Sequence, residues 1–362
     1  MSHAPADPAR IRCYLALSPD REGATAADAP TIVFATSDPA ISVSCALYTS
    51  LLTSAGLVRR NAGVAFKVQA TAGATAAAQA VSSGKAFHNW RGMASLIVAA
   101  QKDPNLVIIN FDPGNGFRVV VPDDSPIKNV AALKGKVIGT QSFGSGAYLY
   151  GRAVVARAGL NPQTDVTWLP IGVGAQAASA LRSGAVAAYA GYDSPDAVIA
   201  ILLKEELREL ASPRNNLVGM SGLIVRRDAL AKQPDLVAVL CRAYYQPLVF
   251  ADANLEATVL NHCCLYLDQK PYNVRGPQAI ADAVVMLKKR LSVIAIPGAD
   301  GLYGYKPVDT MQKAADELLQ AGLLQVRADM ATLSDTSLKE RCGRFDVAAV
   351  VSETNAWQRP DL

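Results

Sequence analysis

Five short stretches of the chain hold residue types that could bind or transform a small molecule. Gln141-Ser142-Phe143-Gly144-Ser145-Gly146 stands between an expected strand and an expected helix. Glycines there let backbone N–H groups approach a ligand, and a helix N-terminus favours negative charge. Ser142, Gly144, Ser145 and Gly146 could therefore hold a carboxylate, sulfonate or sulfinate. Ser145 also reads as a helix cap and Gly144 as a turn residue, roles compatible with ligand contact. Gly172-Val173-Gly174 adds backbone donors at Gly172 and Gly174. In Phe87-His88-Asn89-Trp90-Arg91, an indole face beside a guanidinium fork suits a planar or aromatic anion, with His88 and Asn89 as neighbouring polar groups. The plain alternative packs Trp90 in the core, leaves Arg91 solvated and makes His88 a local hydrogen-bonder. Ser37-Asp38 follows the first strand, where Asp38 reads first as a helix cap and second as a ligand contact. In Gly191-Tyr192-Asp193, Tyr192 offers a ring and a hydroxyl. Asp193 either reaches the ligand or caps a helix starting near Ser194.

Cys45 falls inside the first expected helix, a full turn or more past its start near Pro39. A thiolate nucleophile favours the helix N-terminus, where the dipole stabilises it, so a buried core thiol is the simpler reading. The six cysteines show no CxxC spacing, and no zinc or other metal site is expected. They read as small apolar side chains, including the adjacent Cys263 and Cys264. No cofactor is expected.

These residues need strands and helices to position them. Thr31–Thr36, Val64–Val68, Lys85–Asn89 and Leu106–Asn110 read as strands. They alternate with helical spacing over Ser42–Ala55, Ala72–Ser83 and Met93–Ala100. A second run repeats the order, with strands at Lys136–Thr140, Val166–Pro170 and Ala187–Ala190. Its helices are Ala147–Ala158, Ala175–Ser183 and Ser194–Lys204. Strands alternating with helices predict βα units and mainly parallel sheets. Ser221–Val225 reads as a further strand. Leu236–Ala251, Leu255–Leu267, Pro277–Leu291 and Val308–Leu319 read as amphipathic helices. The expected fold is α/β and two-lobed, with two open sheets flanked by helices and a cleft between the lobes.

The bulk composition agrees. At 362 residues, two lobes or domains are the default. With 51% hydrophobic and 18% charged residues the chain is globular, and a net charge of +4 without a basic cluster argues against a nucleic-acid partner. No apolar run reaches membrane-spanning length. Met1 to Pro30 lacks the basic start and apolar stretch of a secretory signal. The expected location is periplasmic or extracytoplasmic if a signal has been trimmed, and cytoplasmic otherwise.

The stretch Asn129–Ala197 resembles the solute-binding proteins of ABC importers for nitrate, taurine, alkanesulfonates and thiamine-precursor pyrimidines. Leu133-Lys134-Gly135-Lys136-Val137-Ile138-Gly139 and Ala180-Leu181-Arg182-Ser183-Gly184-Ala185-Val186-Ala187-Ala188 carry the likeness. Val120–Ile127 and Asp316–Leu324 extend it. Ala86 and Ala188 stand where the family often has Asp. The resemblance implies a periplasmic-binding-protein fold of type II crossed twice by the chain. Lobe one would comprise 30–112 and 218–325, and lobe two 118–212, with a polar leader over 1–29 and a tail over 326–362. It also implies a small anionic ligand and, for a receptor, an ABC permease as partner. Enzymes on the same fold, a sulfinate desulfinase-like hydrolase or a thiamine-pyrimidine-precursor synthase, form the alternative; likeness to the desulfinase implies a Cys nucleophile with nearby His and Arg, here Cys45, His88 and Arg91, while the Cys-rich motif of the synthase is absent.

Overall fold

A computed structural model describes residues 31–38, 40–41, 43–48, 64–111, 114–216, 221–266, 277–294, 297, 300–304, 307–320 and 324–357. Its strands in chain order are β1 (Thr31–Thr36), β2 (Ala65–Ala70), β3 (His88–Gly92), β4 (Leu106–Phe111), β5 (Phe117–Pro122), β6 (Val137–Thr140), β7 (Thr167–Pro170), β8 (Ala188–Tyr192), β9 (Leu207–Glu209) and β10 (Ser221–Arg226). Runs such as LVIINF in β4 are buried along their whole length, as strands covered by helices on both faces must be.

The strands form two five-stranded sheets, ordered β2-β1-β3-β10-β4 and β7-β6-β8-β5-β9. In each sheet the first three strands are parallel and the fourth runs antiparallel to both its neighbours. The two sheets therefore share one topology, and four strands of each run the same way. The odd strand is in both cases the first one laid down after the chain changes lobe. β5 follows β4, and β10 returns to the first sheet after β9. The protein thus has the expected two-lobed α/β fold of the periplasmic binding proteins.

Among the boundaries that differ from the sequence expectation, three move a candidate residue. β3 covers His88–Gly92 rather than 85–89. The helix before it ends at Ser82, Gly84 turns the chain in the left-handed region at φ 73°, and pairing starts only when the Phe87 N–H reaches the Val33 carbonyl at 2.8 Å. His88, Asn89, Trp90 and Arg91 consequently form the strand itself and do not follow it. β8 likewise extends through Gly191 and Tyr192. Near the first strand, Val43–Cys45 is a 3-10 turn leading into helical residues 46–48. Cys45 therefore sits in the opening turn, not a full turn downstream. β5 has no counterpart in the sequence expectation, since FRVVVP carries only a short apolar run.

The lobes touch directly. One apolar cluster joins Met93, Leu96 and Phe111 of the first lobe to Val119, Tyr150 and Val154 of the second. On the other side of the first sheet, Phe34, Tyr48, Tyr244 and Leu287 form a second cluster, which Val198 of the other lobe enters. The helix Pro277–Ile294 packs on the helix Asp193–Leu203 across this boundary. Beyond residue 326 the chain folds back on the first lobe. The Asp335 N–H donates to the Ile108 carbonyl at 2.8 Å, and Ser334 makes a parallel bridge with Ile108. This covers the open edge of β4, which would otherwise present unpaired backbone groups.

Candidate ligand site between the lobes

Each βα unit brings the start of a helix to the carboxyl end of its sheet, where ligands bind in open α/β folds. Three of these helices begin at glycine and have no side-chain cap: Ala74–Ser82 after Gly73, Met93–Lys102 after Gly92, and Ala175–Arg182 after Gly174. Their first N–H groups are left for a ligand or for neighbouring backbone. The helix Gly146–Arg157 differs, because Ser145 Oγ accepts from the Tyr148 N–H at 3.1 Å.

The first two of these helix starts, both in the first lobe, face the Ser142–Gly146 loop of the second. A Cβ on Gly73 would lie 3.1 Å from the Gly144 carbonyl oxygen and 3.2 Å from Ser142 Oγ, and one on Gly92 would lie 3.3 Å from Gly146 Cα. The Thr75 N–H and hydroxyl both donate to the Gly144 carbonyl, at 3.4 and 3.3 Å. Gln141 Nε2 donates to the Ser37 carbonyl at 3.5 Å. Around this junction, among the described residues, the buried hydroxyls of Ser37, Ser95 and Ser142 have no hydrogen-bond partner. A buried hydroxyl without a partner costs roughly 1–3 kcal/mol, so a bound acceptor would relieve that cost.

Asp38 is 4% exposed and lies at the centre of a polar cluster. Its Oδ2 accepts from Cys45 Sγ at 3.1 Å, Thr36 Oγ1 at 3.3 Å and Tyr48 OH at 3.4 Å. Its Oδ1 accepts from Tyr192 OH of the other lobe at 2.7 Å. Tyr192 is held in turn by Phe117, edge to face at 6.3 Å, and Phe117 stacks on Tyr150 at 5.7 Å. A hydrogen bond to a charged group contributes about 1.5–3 kcal/mol. Tyr192→Phe is therefore expected to favour separated lobes, seen as a larger radius of gyration in small-angle X-ray scattering. An unchanged radius would show that this bond does not hold the lobes together.

A second interlobe contact comes from the C-terminal part of the chain. Arg290 Nη1 donates to Asp193 Oδ1 and to Ser194 Oγ, each at 2.9 Å, and its guanidinium carbon lies 5.5 Å from the centre of the Tyr192 ring. Asp193 is the first residue of its helix, and its Oδ1 also accepts from the Ser194 N–H at 2.7 Å. One turn on, Asp196 is 3% exposed and its Oδ1 has no hydrogen-bond partner. Burial, helped by the nearby Asp193 charge and opposed by Lys289, pushes its carboxyl well above the usual range. The folded protein thus keeps a proton that the unfolded chain loses near pH 4. This group's contribution to stability is complete below that pH and declines as pH rises toward the folded-state value. Asp196→Asn removes the titration, so its stability relative to wild type should rise from pH 4.5 to pH 7.5 in urea denaturation. A constant difference across that window would show that Asp196 does not titrate as argued.

The structure gathers Ser37, Asp38, Ser142, Gly144, Ser145, Gly146, Tyr192 and Asp193 at the lobe junction. Gly172 lies beside the same loop, donating its N–H to the Gln141 carbonyl at 3.2 Å, while Gly174 opens its helix. His88 to Arg91 are placed by backbone register alone, with Trp90 opposite Thr36 of β1 and Leu223 of β10; their side chains lie outside the described set. The expected trio of Cys45, His88 and Arg91 is accordingly represented by Cys45, fully buried and bonded to Asp38. Sequence reasoning missed Gly73 and Gly92, although Gly73 follows β2 as Gly144 follows β6 and Gly92 ends β3. It also missed Tyr48, Phe117 and Arg290. Arg290 ends a Lys288-Lys289-Arg290 run that reads as the solvated face of an amphipathic helix.

Residues 60–254 match the protein family described as NMT1/THI5-like. No curated protein sequence matches the chain. Among solved structures, the alkanesulfonate-binding protein SsuA from Xanthomonas axonopodis pv. citri, bound to MOPS, is similar with a TM-score of 0.63 at 18% identity, over 86% of this chain and 100% of that one. The periplasmic aliphatic sulphonate binding protein SsuA from Escherichia coli also gives a TM-score of 0.63 at 18% identity, over 85% and 98% of the two chains. A cysteine-to-serine mutant of DSZB in complex with biphenyl-2-sulfinic acid gives 0.56 at 16% identity, over 87% and 99%. At these identities the likeness is one of fold.

Proposed function

This chain belongs to the NMT1/THI5-like family, and from that premise we propose that it is a solute-binding protein that closes its lobes on a small organic anion. In this reading lobe one comprises residues 30–112 and 218–325 and lobe two residues 118–212. The loaded protein works outside the cytoplasm and delivers its ligand to an ABC-type permease. The observation that carries the proposal is the facing of uncapped helix starts at Gly73 and Gly92 with the Ser142–Gly146 loop, lined by partnerless serine hydroxyls. Such an array offers N–H and O–H donors and positive dipole ends, which is what a sulfonate or carboxylate requires. Two lobes joined by two crossings can then close around the ligand by hinge motion. The similarity to two sulfonate-binding proteins favours a sulfonate as the first ligand class to try.

The test is a thermal-shift screen of alkanesulfonates, aromatic sulfonates, aromatic carboxylates, nitrate and pyrimidines, followed by calorimetry. At least one anion should raise the melting temperature with one-to-one binding, and Ser142→Ala should weaken it. No stabilisation by any anion would refute the proposal.

A second reading, catalysis on the same fold, draws on one observation: Cys45 lies in the opening turn of its helix with its thiol on Asp38. A carboxylate 3.1 Å away opposes a second negative charge on sulfur, whereas reactive thiolates sit in electropositive surroundings. That favours the receptor. Sulfite release from an aryl sulfinate, abolished in Cys45→Ser, would reverse the preference.

A further inference from the structure

Cys241 and Cys342 lie outside the candidate ligand site. Cys241 lies in the helix Pro234–Ala253 and Cys342 in the short helix Lys339–Gly343, and the two helices pack against each other. Both residues are buried, at 1% and 2% exposure, in one apolar cluster, and burial, with the Cys342 thiol as its neighbour, pushes the Cys241 thiol well above its ordinary range. Asn110 Nδ2 donates to Cys241 Sγ at 3.1 Å. The flanking residues hold the two cysteines in register. Arg242 Nη1 donates to the Arg341 carbonyl at 2.9 Å, and the Arg341 side chain pairs with Asp235 at the start of the longer helix.

We propose that Cys241 and Cys342 form a dithiol–disulfide pair that staples the C-terminal segment to the first lobe. The oxidant is a disulfide, either a small molecule RSSR or an oxidised dithiol protein. One cysteine thiolate attacks a sulfur of the oxidant, forming a mixed disulfide and releasing one RS⁻. The second thiolate then attacks the protein sulfur of that mixed disulfide, closing the Cys241–Cys342 bond and releasing the second RS⁻. Both released thiolates take up protons. The two protein thiols are oxidised and RSSR is reduced to two RSH.

Because both sulfurs are buried in the folded protein, the exchange takes place while the C-terminal segment is undocked, as the chain folds. The bond closes a loop running through residues 242–341, and long loops are where a cross-link most restricts the unfolded chain. What it secures is the segment whose Ser334 and Asp335 cover the edge of β4 at Ile108. The staple would keep that edge closed wherever the surroundings are oxidising.

The test refolds the full chain in a mixture of oxidised and reduced glutathione and compares it with protein refolded in reductant. Thiol titration in denaturant should find four thiols, the six in the chain less the bonded two. Non-reducing peptide mapping should find the peptides of Cys241 and Cys342 linked and lighter by two hydrogens. The oxidised protein should melt roughly 5–10 °C above the reduced one. That gap should vanish in Cys342→Ser and persist in Cys45→Ser. Six free thiols after oxidative refolding, or linkage through other cysteines, would overturn the proposal. Peptide mapping decides it on the natural chain even where a variant fails to fold.

Discussion

Arg290→Ala is expected to cost about 3–5 kcal/mol, because it leaves the Asp193 carboxylate buried without its charged partner. The two side chains are only 7% and 5% exposed and meet at 2.9 Å, so solvent cannot take over the lost contact. Ser194 Oγ loses its Arg290 donor in the same step. The guanidinium also leaves its place over the Tyr192 ring, whose hydroxyl bonds Asp38. One substitution therefore loosens two of the interlobe contacts. Urea denaturation measures the loss, and small-angle scattering separates unfolding from lobe separation. The double variant Arg290→Met with Asp193→Leu removes both charges and should recover most of the stability, since an apolar pair of similar size needs no compensation. A single-variant loss below about 1 kcal/mol, the range of exposed pairs, would show that the contact is solvated.

The second large effect concerns closure. Gly92→Leu should lower affinity for the anion selected in the screen by at least about a hundredfold, or some 2.7 kcal/mol. Gly92 has φ −45°, a value open to any residue, so the substitution carries no left-handed strain. The obstacle is space. A Cβ there already lies 3.3 Å from Gly146 Cα and 3.3 Å from Phe117 Cζ, both in the other lobe. Phe117 is stacked on Tyr150 and has little room to retreat. The remaining atoms of leucine then act as a wedge between the lobes while each lobe keeps its own sheet. Calorimetry should show the loss, Gly92→Ala should fall between wild type and leucine, and scattering should show a more open molecule. Undiminished affinity in Gly92→Leu would mean that ligand binding does not require the lobes to meet here.

These two residues mark where reading the chain succeeds and where it stops. Hydrophobic alternation and turn residues are local properties, so the two βα runs, the four long C-terminal helices and the break near 111–116 are all visible in the sequence. The family pattern around Leu133–Gly139 and Ala180–Ala188 then identifies a fold that those runs are compatible with. The Ser142–Gly146 loop is legible for the same reason: glycines and a capping serine between a strand and a helix have a local meaning. Gly92 is within reach of that rule, but it escapes notice when the third strand is placed three residues too early. Pairing with β1 sets that boundary, with Phe34 opposite His88, and no local signal carries a register.

Other features belong to the tertiary structure alone. Strand β5 is short and modestly apolar, and it becomes a strand because β8 and β9 supply hydrogen bonds on both of its edges. Asp38 reads as a helix cap until Tyr192, 154 positions later, is brought to 2.7 Å from it. Arg290 reads as one of three solvated basic residues until the helix carrying it is laid on the second lobe. The sequence by itself determined the two-lobed α/β architecture and placed a glycine-rich loop with a capping serine between a strand and a helix, because both rest on patterns a few residues long. The tertiary structure decided which side chains face each other across the cleft, because those contacts depend on register and lobe packing, which join residues far apart in the chain.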